Sequence, residues 1–295
     1  MSFTLPSFAK VNLHLRVLGK RGDGFHDIFA VFQSISLHDE LTFERVDGGT
    51  ELTCDDPAVP LDETNLIMRA ANVLAADFNV KTGALIHLKK QIPMGGGLGG
   101  GSSNAAVALV GLSRLWDLGP MPEQLGKIAT GLGSDVPFFL HGGTAIGSER
   151  GSTIESIEDF SAECVIVVTP HIHISTAKAY ADLNAANLTN EESNRILRVC
   201  RAEASSANFL RAELENDFEQ SVFAAYPEIE RAKQTLIELG ARQTLMSGSG
   251  ASVFAIFDNE ETRQTALKAL GEEANWRSFA VAAVSRRGYR AKLGL

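Results

Sequence analysis

The sequence is poor in cysteine, in positive charge and in long apolar runs. Its three cysteines, Cys54, Cys164 and Cys200, are widely spaced and form no C-x-x-C pair, so neither a disulfide framework nor a zinc site is indicated. Asp and Glu number 36 against 27 Lys and Arg, and the net charge of −9 argues against a broad surface for nucleic acid or anionic membranes. An anionic substrate must therefore be bound locally.

Apolar stretches stay well short of the ~20 residues that cross a bilayer, and the N-terminus lacks a basic segment followed by an apolar run. Together with the unpaired cysteines, this predicts a cytoplasmic protein with no membrane partner. The 295 residues and a hydrophobic content of 44% suffice for two domains or one large domain. A soluble enzyme fits these limits, while a monomer and a homodimer both stay open.

A glycine-rich loop, residues 93–104, is the most informative segment present. Glycine occupies six of the seven positions 95–101, and an apolar helix follows. Glycine permits positive φ and close backbone approach, and the N-terminus of a helix attracts anions. A mobile surface loop is disfavoured, because a linker would not lead into a helix that is apolar on most faces. We expect nucleotide phosphates to lie along Pro93, Met94, Gly95, Gly96, Gly97, Leu98, Gly99, Gly100, Gly101, Ser102, Ser103 and Asn104.

The common phosphate-binding motifs do not explain this loop. Gly95, Gly97 and Gly100 match G-x-G-x-x-G, but Pro93 separates them from the preceding strand and Asp117 lies where a helix ends. A P-loop would have lysine at position 101, and the protein-kinase motifs are missing. A dinucleotide-dependent oxidoreductase remains the alternative with a different chemistry.

Periodicity predicts an α+β chain. Residues 8–18 alternate as a half-buried strand, with Ala9, Val11, Leu13, Leu15 and Val17 on one face and Lys10, Asn12, His14 and Arg16 on the other. Further strands are expected at 28–37, 41–46 and 84–90, and helices at 65–78 and 122–130. Beyond about residue 155, strands at 164–169, 243–246, 252–257 and 278–284 alternate with helices at 191–203, 208–223, 228–239 and 260–270. This order predicts a ferredoxin-like second domain, so domains of 1–155 and 156–295 are expected.

Three separated blocks carry a resemblance to a known family. Residues 7–15 (SFAKVNLHL), the glycine loop with its S-S-N ending, and residues 246–254 (MSGSGASVF) resemble the three motifs of the GHMP kinase superfamily. Residues 22–27 (GDGFHD) and 133–139 (GSDVPFF) resemble a narrower branch, and the resemblance covers nearly the whole chain. It implies an N-terminal ribosomal-protein-S5-domain-2-like domain, rich in β-strands, and a C-terminal ferredoxin-like domain.

The resemblance also implies an activity: transfer of a phosphoryl group from ATP to the tertiary hydroxyl of a small molecule carrying cytidine diphosphate, in the non-mevalonate isoprenoid pathway. Mg²⁺ is expected, because it neutralises phosphate charge during transfer. By resemblance, Asp135 accepts the hydroxyl proton, and Lys10 orients the hydroxyl and stabilises the developing charge. Taken alone, Asp135 could simply cap a helix, and Lys10 could lie on a solvated strand face.

Substrate contacts are implied in the same way. Phe25 and Tyr180 match positions that sandwich the cytosine, and His26 matches the one that bonds its edge. Stacking is retained although the family often has tyrosine at position 25. The remaining matches are Asn12, Phe32, Thr176, Gly248, Ser249 and Gly250 for the substrate, and Asn65 for adenine.

Several alternatives stay open on sequence alone. Phe32 could belong to the core, and Gly248 to Gly250 could form a plain hairpin turn. Ser103 is a candidate indirect Mg²⁺ ligand, but no carboxylate can be named beside it, and His14, His171 and His173 are assigned no metal. A GHMP kinase acting on homoserine, a sugar or mevalonate should lack residues 24–26 as they stand here. A non-catalytic sensor of the same fold should lack Lys10 or Asp135.

Overall fold

The computed structural model describes residues 2–119, 121–183 and 214–295. The strands are β1 (Ser2–Lys20), β2 (His26–Val46), β3 (Glu51–Cys54), β4 (Gly83–Lys89), β5 (Thr144–Ser148), β6 (Thr153–Ser156), β7 (Val165–Pro170), β8 (Glu215–Asn216), β9 (Gln243–Met246), β10 (Val253–Ile256) and β11 (Trp276–Val281). The helices are α1 (Leu66–Asp77), α2 (Gly100–Leu115), α3 (Pro122–Leu132), α4 (Phe138–His141), α5 (Thr176–Asp182), α6 (Glu219–Ala225), α7 (Pro227–Glu238), α8 (Glu260–Leu270) and α9 (Arg286–Leu293).

The first sheet is built around the long antiparallel pair β1 and β2. Its order is β3-β4-β2-β1-β8, with β5 also paired to β2 and β6 paired to β5. Helix α2 packs against β1 and β2, and its residues 103–113 are all buried. The apolar helix predicted after the glycine loop is therefore confirmed, and it forms the centre of the core on this side of the sheet.

Strand β1 differs from the predicted half-buried strand. Lys10, Asn12 and His14 are only 3%, 2% and 7% exposed, so the polar face is covered as far as His14, and only Arg16 of that face is exposed. The pairing with β2 also shifts register between Asn12 and His14, which leaves one extra residue on β1. A β-bulge of this kind reverses the alternation of side chains. Consequently Leu13 packs in one hydrophobic cluster and Leu15 in another, and the prediction that they share a face was wrong.

The second sheet has the order β11-β7-β10-β9, and its neighbouring strands are antiparallel. In chain order this is 4-1-3-2, the arrangement of a ferredoxin-like fold. The α+β class is confirmed. Strand β8 pairs in parallel with β1 of the first sheet, so the chain after residue 156 contributes to both sheets. The boundary between residues 155 and 156 remains a prediction.

Several element bounds differ from the predictions. Strands 28–37 and 41–46 are one strand, β2, and the short elements β3, β5, β6, α5 and α9 were not predicted. The helix predicted at 191–203 lies outside the described residues, as does the start of the one at 208–223. Within the described part of that helix, residues 219–223 are helical in α6, but the prediction was wrong for 214–218. There Asp217 bonds to the backbone of β1: its N–H donates to Leu15 O at 3.0 Å and its carboxylate accepts from Val17 N at 2.8 Å.

Within the three described ranges, no helix has the length and apolar content needed to cross a membrane.

Close packing of α2 against the sheet makes a stability prediction. A Cβ on Gly111 would collide with the ring of Phe43, whereas a Cβ on Gly126 in α3 would meet no atom within 4 Å. Gly111→Ala should lower the free energy of unfolding by about 1–3 kcal/mol through overpacking. Gly126→Ala is the matched control and should raise it by up to about 1 kcal/mol through helix propensity. Urea denaturation of both variants measures the difference, and equal effects would contradict the packing argument.

Candidate active site

Two clefts meet at Asp135. The first has a volume of about 440 Å³ and lies beneath the glycine loop, and the second, of about 630 Å³, lies beside the turn between β1 and β2. Ile28, Asp135, Thr176 and Tyr180 line both clefts. Of the predicted residues, the first cleft brings together Lys10, Asn12, Phe32, Asn65, residues 93–102, Asn104, Asp135, Thr176, Tyr180, Gly248 and Ser249. The second brings together Phe25, His26, Asp135, Thr176 and Tyr180.

Lys10 and Asp135 form an ion pair at this junction. Lys10 Nζ lies 3.5 Å from Asp135 Oδ2 and donates to Asn12 Oδ1 at 2.6 Å. The lysine side chain is 4% exposed and the aspartate 32%, so the carboxylate still faces the clefts. Helix α4 begins at Phe138 with Pro137 as its N-cap, and Asp135 makes no capping bond. The helix-cap interpretation of Asp135 is therefore not supported.

The glycine loop has the backbone expected of an anion site. Gly95, Gly97 and Gly99 have positive φ angles of 67°, 73° and 69°, which only glycine adopts readily. Gly99 is the N-cap of α2 and has no side chain to occupy the first N–H groups of the helix. These N–H groups lie at the edge of the first cleft, where an anion would be favoured.

The second glycine turn packs directly on the glycine loop. Ser247 Oγ donates to Gly97 O at 3.0 Å and accepts from Asn12 N at 3.3 Å, while Ser252 N donates to Gly96 O at 3.1 Å. A Cβ on Gly97 would collide with Ser247 O, and a Cβ on Gly248 would lie 3.5 Å from Lys10 Nζ. The turn is therefore more than a hairpin connection, because it closes the first cleft beside the lysine.

Asn216 and Phe218 belong to the site, although sequence analysis gave neither a role. The amide of Asn216 donates to Met246 O at 2.7 Å and to Gly248 O at 2.8 Å, which holds the second glycine turn in place. Phe218 lines the first cleft and contacts Tyr180 edge-on, with ring centroids 4.8 Å apart. Both lie in residues 214–218 (LENDF), a further block that resembles the narrower branch of the family, and this resemblance was the available signal.

A buried charged cluster supports the start of the glycine loop and was also missed. Asp39 is 0% exposed, pairs with Lys90 Nζ at 2.7 Å and accepts from Asn104 Nδ2 at 2.9 Å. Its other oxygen accepts from the backbone N–H groups of Gln91 and Ile92 at 2.7 and 2.8 Å. A buried carboxylate with this many partners orients Lys90 toward the cleft that it lines.

Ser103 and Gly250 lie apart from the other predicted residues. The Ser103 hydroxyl is buried and accepts a 2.8 Å bond from Ser7 Oγ, so it faces β1. Neither residue is among the described residues that line the two clefts. Gly250 has a φ of 88° and its N–H donates to Ser247 O at 3.1 Å. It therefore shapes the second glycine turn.

The aromatic residues line the second cleft in a different arrangement from the one expected. His26 stacks on Tyr180, with ring centroids 4.9 Å apart and an angle of 20° between the planes. Phe25 is 51% exposed at the rim, where Arg150 lies over its ring. Burial lowers the pKa of His26, and Lys20 adds to this. Burial, with a smaller contribution from Asp135, raises the pKa of Tyr180. Both rings are therefore neutral at pH 7.

Three other predicted residues have local partners. The Asn65 side chain caps α1 by accepting from Ile67 N at 2.9 Å, and it borders the first cleft. Thr176 Oγ1 lies 3.2 Å from Ser249 Oγ. Phe32 is 1% exposed and packs on Phe138 at 5.0 Å, so its ring serves the core and also lines the first cleft.

His173 lies beside the glycine loop. Among the described residues, no group of three or more His, Cys, Asp or Glu side chains could hold a metal ion. His173 instead packs against the loop, because a Cβ on Gly95 would collide with its imidazole.

Comparison with known proteins identifies the class to which this fold and cleft belong. The model of the GHMP kinases N terminal domain matches residues 65–143, and that of the GHMP kinases C terminal matches residues 185–275. The chain belongs to the GHMP kinase family. ATP is the co-substrate of such a kinase, which agrees with the glycine loop and its helix N-terminus.

Near-full-length relatives share one name. The chain is 38% identical over 276 residues to a 4-diphosphocytidyl-2-C-methyl-D-erythritol kinase of Syntrophus aciditrophicus, covering 94% of this chain and 97% of the relative. It is 40% identical over 292 residues to the kinase of that name from Solibacter usitatus, covering 97% and 90%. A solved structure of 4-(cytidine 5'-diphospho)-2C-methyl-D-erythritol kinase superposes with a TM-score of 0.75 at 31% identity, covering 96% of this chain and 99% of that one.

The contact between the two glycine turns can be tested by stability. Gly97→Ala should lower the free energy of unfolding by about 2–4 kcal/mol, because alanine is strained at positive φ and its methyl group meets Ser247 O. The matched control is Gly101→Ala, whose Cβ would have Leu66 Cδ1 at 4.0 Å as its nearest neighbour. It should change stability by no more than about 0.5 kcal/mol. Thermal and urea unfolding compare the two, and a stable Gly97→Ala protein would refute the contact.

Proposed function

We propose that this protein transfers the γ-phosphoryl group of ATP to the 2-hydroxyl of 4-diphosphocytidyl-2-C-methyl-D-erythritol, giving the 2-phosphate and ADP. The observation that carries this proposal is the Lys10–Asp135 pair at the junction of two clefts. A glycine-rich helix N-terminus borders one cleft, and aromatic side chains line the other. The relatives named for this reaction supply the identity of the acceptor.

Asp135 accepts the proton of the attacking hydroxyl. Its carboxylate is partly exposed to both clefts, so an acceptor in the second cleft and a phosphate in the first can both reach it. Phosphoryl transfer proceeds through a loose transition state, in which positioning and charge stabilisation matter more than strong base catalysis. One carboxylate is sufficient for this role.

Lys10 orients the hydroxyl and offsets negative charge on the transferring oxygens. Its ammonium is held between Asp135 and Asn12 and is almost excluded from water, which strengthens its field in the cleft. Asn12 has a second function, because its N–H fixes Ser247 in the second glycine turn. The lysine is thus positioned by both the strand and the turn that closes over it.

ATP lies with its phosphates along residues 94–104 and its adenine toward Asn65. The N–H groups at the start of α2 and the glycines with positive φ support the phosphate position. The acceptor lies in the second cleft, where Phe25, His26 and Tyr180 provide ring faces and a polar edge for cytosine. Thr176, Gly248 and Ser249 border the space between the two substrates.

Mg²⁺ accompanies ATP in this proposal. Among the described residues no cluster of acids and histidines could hold a metal ion. The first cleft offers the single carboxylate of Asp135 and the hydroxyl groups of Ser102, Thr176 and Ser249. This donor set fits an ion held mainly by phosphate oxygens and water, as is usual for Mg²⁺ at phosphoryl-transfer sites. When bound, the ion supplies charge neutralisation between the β and γ phosphates. Ser103 is less suited to an indirect role, because its hydroxyl is buried against Ser7.

Three alternatives are less well supported. A non-catalytic sensor is disfavoured because Lys10 and Asp135 are both present and paired. Another GHMP kinase, acting on homoserine, a sugar or mevalonate, would not need the aromatic residues and cations of the second cleft. A hydride-transferring enzyme does not agree with membership of a kinase family.

A cytoplasmic location is part of the proposal.

The Asp135→Asn variant, compared with the wild type, tests the proposed acceptor, the proposed reaction and the assignment of the base in one experiment. A coupled assay of ADP release with Mg²⁺-ATP and 4-diphosphocytidyl-2-C-methyl-D-erythritol should show robust turnover by the wild type. The variant should lose about 10²–10⁴-fold in kcat with little change in the KM for ATP, because the amide keeps the shape but cannot take the proton. Asp117→Asn is the control, since Asp117 is 82% exposed and lines neither cleft.

The outcomes of this assay separate the parts of the proposal. A wild type that binds ATP but does not phosphorylate this acceptor would overturn the substrate assignment. An active Asp135→Asn enzyme would overturn the assignment of the base.

Chelation tests the proposed ion. EDTA in excess should abolish turnover, and added Mg²⁺ should restore it, because the cleft has too few anionic ligands to retain a resident ion. Turnover that persists in the presence of excess EDTA would contradict an ion carried by ATP.

A further inference from the structure

Arg150 lies on the wall of the second cleft and has no role in the function proposed so far. It stands in the turn between β5 and β6, and this turn is attached to β2 because Ile28 N donates to Glu149 O at 2.7 Å. Gly151 closes the turn with a φ of 89° and an N–H bond to Ser148 O at 3.0 Å. The position of Arg150 is therefore determined by the sheet, and its side chain borders the cleft.

The guanidinium of Arg150 has an aromatic neighbour but no ion-pair partner among the described residues. Its Cζ lies 4.8 Å from the centroid of the Phe25 ring, a cation–π distance. The acids of the neighbouring turn, Asp23 and Asp27, are already paired with Arg21 at 3.2 and 2.6 Å. Arg150 reaches Asp23 only as a weak long-range charge. Its hydrogen-bond donors thus remain available to a ligand.

The charge of the second cleft also points to an anion. Lys20 and Arg150 are its two cationic side chains, and Asp135 is the one acid among the described residues that line it. His26 is neutral there, because burial and Lys20 both lower its pKa. A ligand that places a base at Phe25 and a hydroxyl at Asp135 occupies the cleft that these two cations line. A diphosphate group in that position would match them.

We infer that Arg150 binds the diphosphate of the acceptor and thereby selects for cytidine diphosphate compounds. This inference rests on the function proposed above and adds a specificity-determining residue to it. The planar guanidinium can donate two parallel bonds to phosphate oxygens. Its contact with Phe25 holds it in a defined direction and reduces the freedom lost on binding. Lys20 contributes a second, exposed charge.

Binding of CDP and cytidine to wild type, Arg150→Gln and Arg150→Lys tests this directly by calorimetry. Arg150→Gln should weaken CDP binding on the order of tenfold or more, because charge-assisted hydrogen bonds to phosphate are lost. Its affinity for cytidine should change less than about twofold. Arg150→Lys should restore part of the CDP affinity, since it keeps the charge but not the fork. In turnover, the KM for the acceptor should rise while kcat and the KM for ATP stay near wild type.

Arg21→Gln is the matched control. It removes the same charge from the neighbouring turn, but Arg21 is bound to two aspartates and does not line the cleft. It should leave the preference for CDP over cytidine unchanged.

The possible results distinguish this inference from the proposed function. If Arg150→Gln weakens CDP and cytidine equally, Arg150 supports only Phe25 and the diphosphate contact is wrong. If it changes neither affinity while the wild type turns over the acceptor, the inference fails and the proposed function stands. If the wild type binds CDP no better than cytidine and does not turn over the acceptor, both fail.

Discussion

The contact between the glycine loop and the second glycine turn is the constraint on which the site depends. Two backbone segments from distant parts of the chain approach so closely at Gly97 and Ser247 that a single methyl group would not fit. Hydrogen bonds from Ser247 and Ser252 satisfy the backbone carbonyls left on the loop, which an approach without partners would make costly. Because the turn belongs to the second sheet, this contact determines where that sheet meets the first. The first cleft is the space left between the glycine loop and the second glycine turn.

Two lysine–aspartate pairs lie near this contact, and they differ in how deeply they are buried. Asp39 and Lys90 form a buried pair, and the same carboxylate accepts from the backbone N–H groups of Gln91 and Ile92, which orders the chain leading into the loop. Lys10 and Asp135 form a looser pair at 3.5 Å, and the aspartate remains partly exposed. A fully buried and saturated pair serves structure, whereas an incompletely buried pair at the junction of two clefts can exchange a partner or a proton. Burial and geometry thus separate the two pairs, although both consist of a lysine and an aspartate.

Most of the regular elements could be predicted because their signals are local. Helix α8 and strand β9 were predicted with their observed bounds, and α1 within a residue at each end, since apolar periodicity and caps mark them. The segment 215–218 was predicted as helix, but bonds from Asn216 and Asp217 to other segments override its propensity. The β-bulge at Leu13 could not be predicted from the sequence either, because the alternation of apolar and polar residues continues through it. Such features depend on partners far along the chain.

For the candidate site, the sequence by itself determined the family motifs, the glycine content that an anion-binding loop requires, and the residue types proposed for catalysis. It also contained the βαββαβ order, since hydrophobic period and glycine position are properties of neighbouring residues. Only the tertiary structure decided that Lys10 faces Asp135, that Tyr180 stacks on His26, and that Ser103 is turned toward Ser7. It alone placed Arg150 beside Phe25. The physical reason is that distances between side chains depend on register, bulges and sheet packing, which no short window of sequence encodes.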